Sequence, residues 1–398
     1  MTTRNHNKNN TSNSLIALVP DRFAHYRLTV FKALSNEDKN GFRITIYADT
    51  KPDLSSIKIA PAAYCNLDIK KGGVRWQRIH NFSLHNRCFW QSGLLKLALR
   101  RDLQVIVYWG EAHRISTWLS AILARLCGIK VIFWTHGIYG NEPALKGFIR
   151  TTFYRLADAL LLYSDYAYGL LKRKGINPER MFVIKNSLDC EEQEIVYAGL
   201  KDLSKVKARH FLPDDIVLVF IGRLQKSKRL DLLIEALPKV QAKTDRSVKI
   251  LIIGDGPAES HLRRLTERYQ VADHIVFYGS CYNEEELGPL IAASDICVSP
   301  GEVGLTAMHA LAYGTPVITH NNFTRQMPEF EAIKEGLSGG FFKYGSVNAL
   351  AEKIIQCLDY LKRKTISADS CRAIIHRYYN PEYQCEVFQQ ALGYVMRK

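Results

Sequence analysis

The nine cysteines of this 398-residue chain form no C-x-x-C pair, and none stands at a metal-type spacing from histidine. That excludes a zinc framework and a thioredoxin-like redox site, and leaves buried thiols of a reducing, cytoplasmic compartment as the expectation. Long apolar runs are missing too. The first, Leu15 to Pro20, falls far short of the roughly 20 residues of a membrane span and follows an Asn-rich stretch rather than a basic n-region, so neither export nor a span is expected. Acidic residues are scarce relative to basic ones, 39 against 54, for a formal charge of +15. Such a surface attracts polyanions: sugar-nucleotide diphosphates, anionic lipid headgroups or nucleic acid. No nucleic-acid-binding motif accompanies the charge, so nucleic acid is set aside. With 47% hydrophobic and 23% charged residues, a mainly disordered, collagen-like or coiled-coil chain is excluded.

The length favours two cores. Residues 1–13 read as a disordered lead-in, Asn/Thr-rich and without apolar periodicity. From Leu15 onward, short aliphatic runs (LIALVP, FRITIYAD, VIVYW, VIFWTHG, ALLLYS) alternate with amphipathic stretches, the pattern of βα units on a parallel sheet. It weakens after Asn186 and restarts at IVLVFIGR, continuing through VKILIIGDG, IVFYGS, ICVSP and PVITH. The expected domains are 14–200 and 201–375, with a linker near 190–212 and a terminal segment at 376–398. In open α/β sheets, ligands bind outside the carboxyl ends of strands, so residues just after these runs carry the most information.

Three segments stand there. Phe220 to Asp231 ends a strand at Gly222 and suspends Arg223, Lys226 and Lys228 over its terminus, a fork and point charges suited to a diphosphate, with a solvated basic turn as the bland alternative. Leu251 to Pro257 is a strand and a tight turn in which Gly254 and Gly256 let a ligand base or ribose approach the backbone. Cys297 to Thr319 ends a strand at Pro300, turns through Gly301, Glu302 and Gly304, and opens a helix at Leu305 and Thr306 that stops at Gly314. Orphan amides and the positive dipole end of that helix make an anion site.

These segments, with Asn186-Ser-Leu-Asp and His25-Tyr-Arg, resemble the retaining glycosyltransferases of family 4. The resemblance spans most of the chain. It implies an α/β GT-B fold, two Rossmann-like doubly wound parallel-sheet domains facing across an interdomain cleft, with the donor on the C-terminal domain and the acceptor on the N-terminal one. It also implies metal-independent hexosyl transfer with no cofactor, Arg223 and Lys228 on the leaving diphosphate, and a C-terminal helix packing back toward the first domain. Where the family carries two glutamates, this chain has Gly301 and His309. His309 can still bond ribose hydroxyls, since a neutral imidazole both donates and accepts. Glu302 lies one place from the first glutamate position. Downstream, either Glu329 or Glu331 matches the family's acidic residue before a Gly turn.

On the N-terminal side, His136 matches a family histidine that faces the transferred sugar and leaving group. A packing histidine beside Trp134 is the alternative. His25, Arg27, Gly110, Glu111 and His113 are acceptor-side candidates. Phe89 to Arg101, with Lys70, Lys71, Arg75 and Arg78 upstream, mixes aromatics, leucines and cations; it reads either as a helix lying on an anionic membrane, where a lipid-linked acceptor is found, or as one with its apolar face in the core. The expected activity is sugar transfer from a nucleotide-diphosphate donor to a lipid-linked surface saccharide, as in polysaccharide, capsule or O-antigen assembly. A sugar-nucleotide epimerase and a non-catalytic binding relative are the rivals.

Overall fold

A computed structural model describes residues 14–36, 41–49, 73–84 and 88–397. The lead-in 1–13 and Lys70 and Lys71 lie outside the described residues. The chain divides into two compact units, 1–184 with 381–398, and 185–380.

In the first unit, β1 (Ser14–Val19), β2 (Phe42–Ala48) and β3 (Trp76–Arg78) precede a hairpin of β4 (Asn81–Leu84) and β5 (Cys88–Gln91). β6 (Val105–Trp109), β7 (Lys130–Thr135), β8 (Ala159–Leu162) and β9 (Met181–Val183) follow. Strands β3-β2-β1-β6-β7-β8-β9 form one parallel sheet. The second unit carries β10 (Ile216–Ile221), β11 (Val248–Ile253), β12 (Ile275–Gly279), β13 (Ile296–Val298), β14 (Val317–His320) and β15 (Gly339–Phe342), in the order β12-β11-β10-β13-β14-β15, again parallel. Helices cover both faces of each sheet, so the central strands are buried throughout. Every residue of β10 is buried, which is why such strands are continuous aliphatic runs rather than alternating ones. The strand order reverses between β1 and β6 and between β10 and β13, and the crevice opens at such switch points.

The unit boundary falls at Ile184/Lys185, upstream of residue 200, and the stretch read as a linker holds helices Cys190–Ala198 and Leu203–Lys207. Asp189 and Asp202 cap them, and both pack on helix Glu284–Ala292 of the second unit. Their apolar periodicity is weak because Gln193 is the only residue they bury. Helix Pro381–Met396 belongs to the first unit. Val387, Phe388, Ala391, Leu392 and Val395, at helical spacing, lie in its core, where the Phe388 ring is 5.9 Å from Phe42 and 6.2 Å from Trp134.

The Phe89–Arg101 stretch is not one helix. Cys88–Gln91 is the second hairpin strand, Gly93 turns in the left-handed region at φ +81°, and only Leu94–Ala98 is helical, with Leu94, Leu97 and Ala98 in the core.

Candidate functional site

In the second unit, three loops meet beyond the carboxyl ends of β10, β11 and β13, and glycines let them meet. A Cβ on Gly254 would stand 2.0 Å from the Gly222 carbonyl oxygen, one on Gly256 2.3 Å from that of Leu224, and one on Gly301 2.0 Å from that of Ser227. Backbone bonds seal the contacts: Gly222 N–H to Ile253 (2.9 Å), Leu224 N–H to Asp255 (2.7 Å) and Gly301 N–H to Lys228 (2.9 Å). The close approach expected of a ligand at Gly254 and Gly256 is made by the backbone of the neighbouring loop.

This stacking fixes the basic turn. Lys226–Lys228 forms a 3-10 turn ended by Arg229 in the left-handed region, φ +51°. Lys228 Nζ donates to the Glu302 carbonyl at 2.8 Å, and Ser227 Oγ donates to Glu302 Oε1 at 2.7 Å. Burial lowers the Lys228 pKa, opposed by the carboxylates of Glu302 and Glu329. Arg223 projects to solvent. Helix Leu305–Ala312 starts beside the turn: Thr306 Oγ1 donates to the Ile221 carbonyl at 2.8 Å, and the N-cap is Gly304, φ +55°, so no side chain caps the first turn. Two cations and uncapped helix amides thus share one rim, an arrangement suited to a diphosphate.

Behind this rim the buried Gln326 accepts from Val303 N–H (3.0 Å) and donates to Thr319 Oγ1 (2.8 Å), tying the Gly-rich loop to β14. Nothing in the sequence marks Gln326, because its role depends on where two loops meet. The structure distinguishes the two glutamates. Glu331 pairs with Lys185, while Glu329, 2% exposed, accepts from Asn186 Nδ2 at 2.7 Å and is the one whose charge reaches Lys228.

His309 is held in a network with Glu284 and Tyr313 that the sequence does not mark. Its Nε2 lies 2.8 Å from Glu284 Oε1, and the Tyr313 hydroxyl donates to the same oxygen at 2.7 Å. Burial by itself would raise the Glu284 pKa, but bonds from His309, Tyr313 and Gln193 hold it below the usual value. The only sequence signal for Glu284 is three glutamates opening a helix, which the helix dipole alone explains.

In the first unit, His136 follows β7. Its ring lies 4.5 Å from that of Tyr163, and its Nδ1 is buried with no hydrogen-bond partner among the described residues. Burial, and then the charges of Arg27 and Arg150, lower its pKa to about 4, so the imidazole is neutral at physiological pH. Arg27, 4% exposed, donates to the Tyr163 hydroxyl at 2.6 Å within a ring of Tyr26, Trp109, Trp134 and Tyr163. His25 is exposed in the same turn. After β6, Gly110 is a packing glycine whose Cβ would meet that of Phe133 at 2.8 Å. Burial and Asp21 raise the Glu111 pKa against Arg150 and Arg114, and His113 is lowered by burial and Arg114. Four charged residues there are not marked by the sequence. Asp21 pairs with Arg114, and Glu142 accepts from Tyr139 N–H (2.7 Å), Gly140 N–H (2.8 Å) and Arg150 (3.0 Å).

With this geometry in place, the chain was compared with known proteins. The family profile described as Glycosyl transferases group 1 matches residues 204–367, and that described as Glycosyltransferase Family 4 matches residues 32–192. N-acetyl-alpha-D-glucosaminyl L-malate synthase of Bacillus anthracis is 25% identical over 67% of this chain and 68% of that protein. Alpha-monoglucosyldiacylglycerol synthase of Streptococcus pneumoniae is 23% identical over 92% of this chain and 84% of its own. Two further curated relatives align over 55% and 60% of their lengths. The structure of Anabaena HepE in complex with UDP superposes with a TM-score of 0.70 over 95% of this chain and 99% of that one, at 15% identity, a likeness of GT-B fold.

Proposed function

The chain belongs to the group 1, family 4 glycosyltransferases with the GT-B fold, and from that premise we propose that it moves a hexose, with retention, from a nucleoside-diphosphate sugar to a lipid-linked surface saccharide. One observation carries the donor assignment: Lys228 and the uncapped start of helix Leu305–Ala312 meet at the carboxyl ends of β10 and β13, and the exposed Arg223 leaves β10 two residues past its end. As the glycosidic bond breaks, charge accumulates on the leaving diphosphate. Lys228, already desolvated and aimed by the Glu302 carbonyl, and Arg223, free to swing in from solvent, supply there the positive charge that a metal supplies elsewhere. The charges of Glu302 and then Glu329 oppose the lowering of the Lys228 pKa by burial. The acceptor hydroxyl enters on the face the diphosphate leaves, so no protein nucleophile is required and positioning provides much of the rate. His136, neutral and with an unpartnered Nδ1, accepts from a sugar hydroxyl instead of adding a cation. Glu111, His113, His25 and Arg27 line the acceptor side.

The UDP complex of HepE supports a uridine nucleotide as the donor, and the diacylglycerol in the name of the pneumococcal relative supports an acceptor at a membrane. A cytoplasmic enzyme touching the inner membrane face fits that acceptor, and no helix among the described residues is long and apolar enough to cross a bilayer. Calorimetric titration with UDP, GDP, dTDP and CMP tests the donor site. One nucleotide is expected to bind at about micromolar Kd and to lose roughly 1.5–3 kcal/mol in Arg223→Ala. Absence of binding by every nucleotide refutes the assignment.

A further inference from the structure

One face of the first unit inverts the usual layout of a surface helix. Helix Ile115–Leu126 buries its small residues, Ser116, Thr117, Ser120, Ala121 and Ala124. Ser120 Oγ sits 2.7 Å from the Tyr108 hydroxyl and donates to the Leu94 carbonyl at 2.9 Å, drawing the helix close to the sheet. The aliphatic side chains are left outside: Ile115, Leu119, Ile122 and Leu126 are 47%, 46%, 41% and 80% exposed. Their spacing places them in one stripe along the helix.

Helix Ala144–Arg155 lies alongside. The Trp118 and Phe153 ring centroids are 4.9 Å apart, and Arg125 donates to the Leu156 carbonyl at 3.1 Å. This helix also turns apolar groups outward, with Leu145 72%, Phe148 65% and Ile149 43% exposed. The two helices, joined through Trp118 and Phe153, thus each turn apolar side chains to solvent, and clustered exposed apolar groups mark interaction surfaces.

The surroundings are basic. Lys96, Arg101, Lys146 and Arg155 are exposed and have no ion-pair partner among the described residues. The neighbouring acids are neutralised: Asp102 by Arg100, Asp158 by Arg125 and Glu142 by Arg150. A second copy docked about a two-fold axis would bring like-charged rims together. An anionic lipid surface satisfies both features at once, taking the apolar stripe at the acyl boundary and the cations at the headgroups.

We propose that the face built by helices Ile115–Leu126 and Ala144–Arg155 is where this protein lies on an anionic bilayer. The proposal rests on the lipid-linked acceptor read above. It replaces the Phe89–Arg101 stretch, whose Leu94 and Leu97 are in the core, as the membrane contact. The helices begin just after β6 and β7, so Ile115, Leu145 and Phe148 lie at the strand ends that carry Glu111, His113 and His136. A lipid-borne sugar standing at the bilayer surface therefore emerges beside the acceptor-side residues.

The test is co-sedimentation of the full chain with phosphatidylcholine vesicles, with and without about a third phosphatidylglycerol, at low salt and at about 0.5 M salt. Three variants are compared with the parent: Leu119→Gln/Ile122→Gln, Leu145→Gln/Phe148→Gln and, in the hairpin, Phe82→Ser/Trp90→Ser. Circular dichroism, the elution volume of each variant and UDP affinity are recorded in parallel. The expected result is salt-sensitive binding to the anionic vesicles alone, weakened at least about tenfold by each two-helix variant while fold and UDP affinity are kept. Three outcomes overturn the proposal: no vesicle binding by the parent, loss of binding only in the hairpin variant, or a parent dimer that the two-helix variants dissociate. Failure of the donor assignment would show separately, as absent UDP binding in the parent whatever the vesicles do.

Discussion

Replacing Gly254 by alanine drives a methyl group into the Gly222 carbonyl, with Cβ 2.0 Å from the oxygen and 2.9 Å from the carbon. The backbone there has φ +143°, a region that non-glycine residues occupy at about 1–3 kcal/mol. Both obstructing atoms are main chain, so relief requires the ends of β10 and β11 to part. That strains the Gly222 N–H to Ile253 bond (2.9 Å) and the Leu224 N–H to Asp255 bond (2.7 Å). Each bond contributes about 1 kcal/mol, which brings the total cost to roughly 3–5 kcal/mol. Gly345→Ala isolates the backbone component: φ is +76° and nothing lies within 4 Å of its added Cβ, so only the left-handed penalty of about 1–2 kcal/mol remains. In a unit of about 200 residues each kcal/mol moves Tm by roughly 2–4 °C. Calorimetry should show the second unit melting roughly 6–20 °C lower in Gly254→Ala, with a far smaller shift in Gly345→Ala and the first unit unchanged. The displaced turn carries Arg223 and Lys228, so nucleotide affinity should fall as well. Equal Tm losses in the two variants would refute the claim that loop-on-loop packing requires Gly254.

Lys228→Met removes a partly desolvated charge from the diphosphate rim and should weaken UDP binding by roughly 1.5–3 kcal/mol, about 10- to 150-fold, with a smaller loss for uridine, as calorimetry would show. Glu284→Ala strips the shared acceptor from His309 and Tyr313 and should destabilise the second unit by about 1–3 kcal/mol in urea unfolding, whereas Glu284→Gln should retain part of that stability. His136 has a folded pKa lowered from 6.5 to about 4, so only the unfolded chain takes up its proton between those values. Its contribution to stability is therefore unaffected above about pH 6.5, falls by about 1.4 kcal/mol per pH unit as pH drops to about 4, and then levels off. Imidazole NMR should show this ring titrating near pH 4, and His136→Gln should flatten that part of the stability profile.

The βα alternation was legible because buried parallel strands need unbroken aliphatic runs, and β10 and β11 are such runs. The glycine positions after them were legible too, but not their purpose. A glycine marks a close approach without naming what approaches, and at Gly254 and Gly256 it is the loop of Gly222 and Leu224. The hairpin β4–β5 was missed because short strands with exposed aromatics carry little periodicity. Helix Cys190–Ala198 hid inside an apparent linker because its polar surface is mostly solvated. The segment Phe89–Arg101 shows the converse error, in which leucines at helical spacing were equally consistent with a membrane face and a core.

By itself the sequence determined the doubly wound architecture, the basic turn at Arg223 and Lys228, and the helix start at Gly304, because each follows from local chain chemistry. Only the tertiary structure decided which groups meet. It joined His309 to Glu284 across 25 residues and gave Glu331 to Lys185, leaving Glu329 to act on Lys228 beside the nearer Glu302. It also decided which way helix Ile115–Leu126 faces. Apolar spacing defines a stripe but not its direction, and here small residues with hydroxyls that bond to neighbouring groups claimed the inner side and turned the aliphatic one outward.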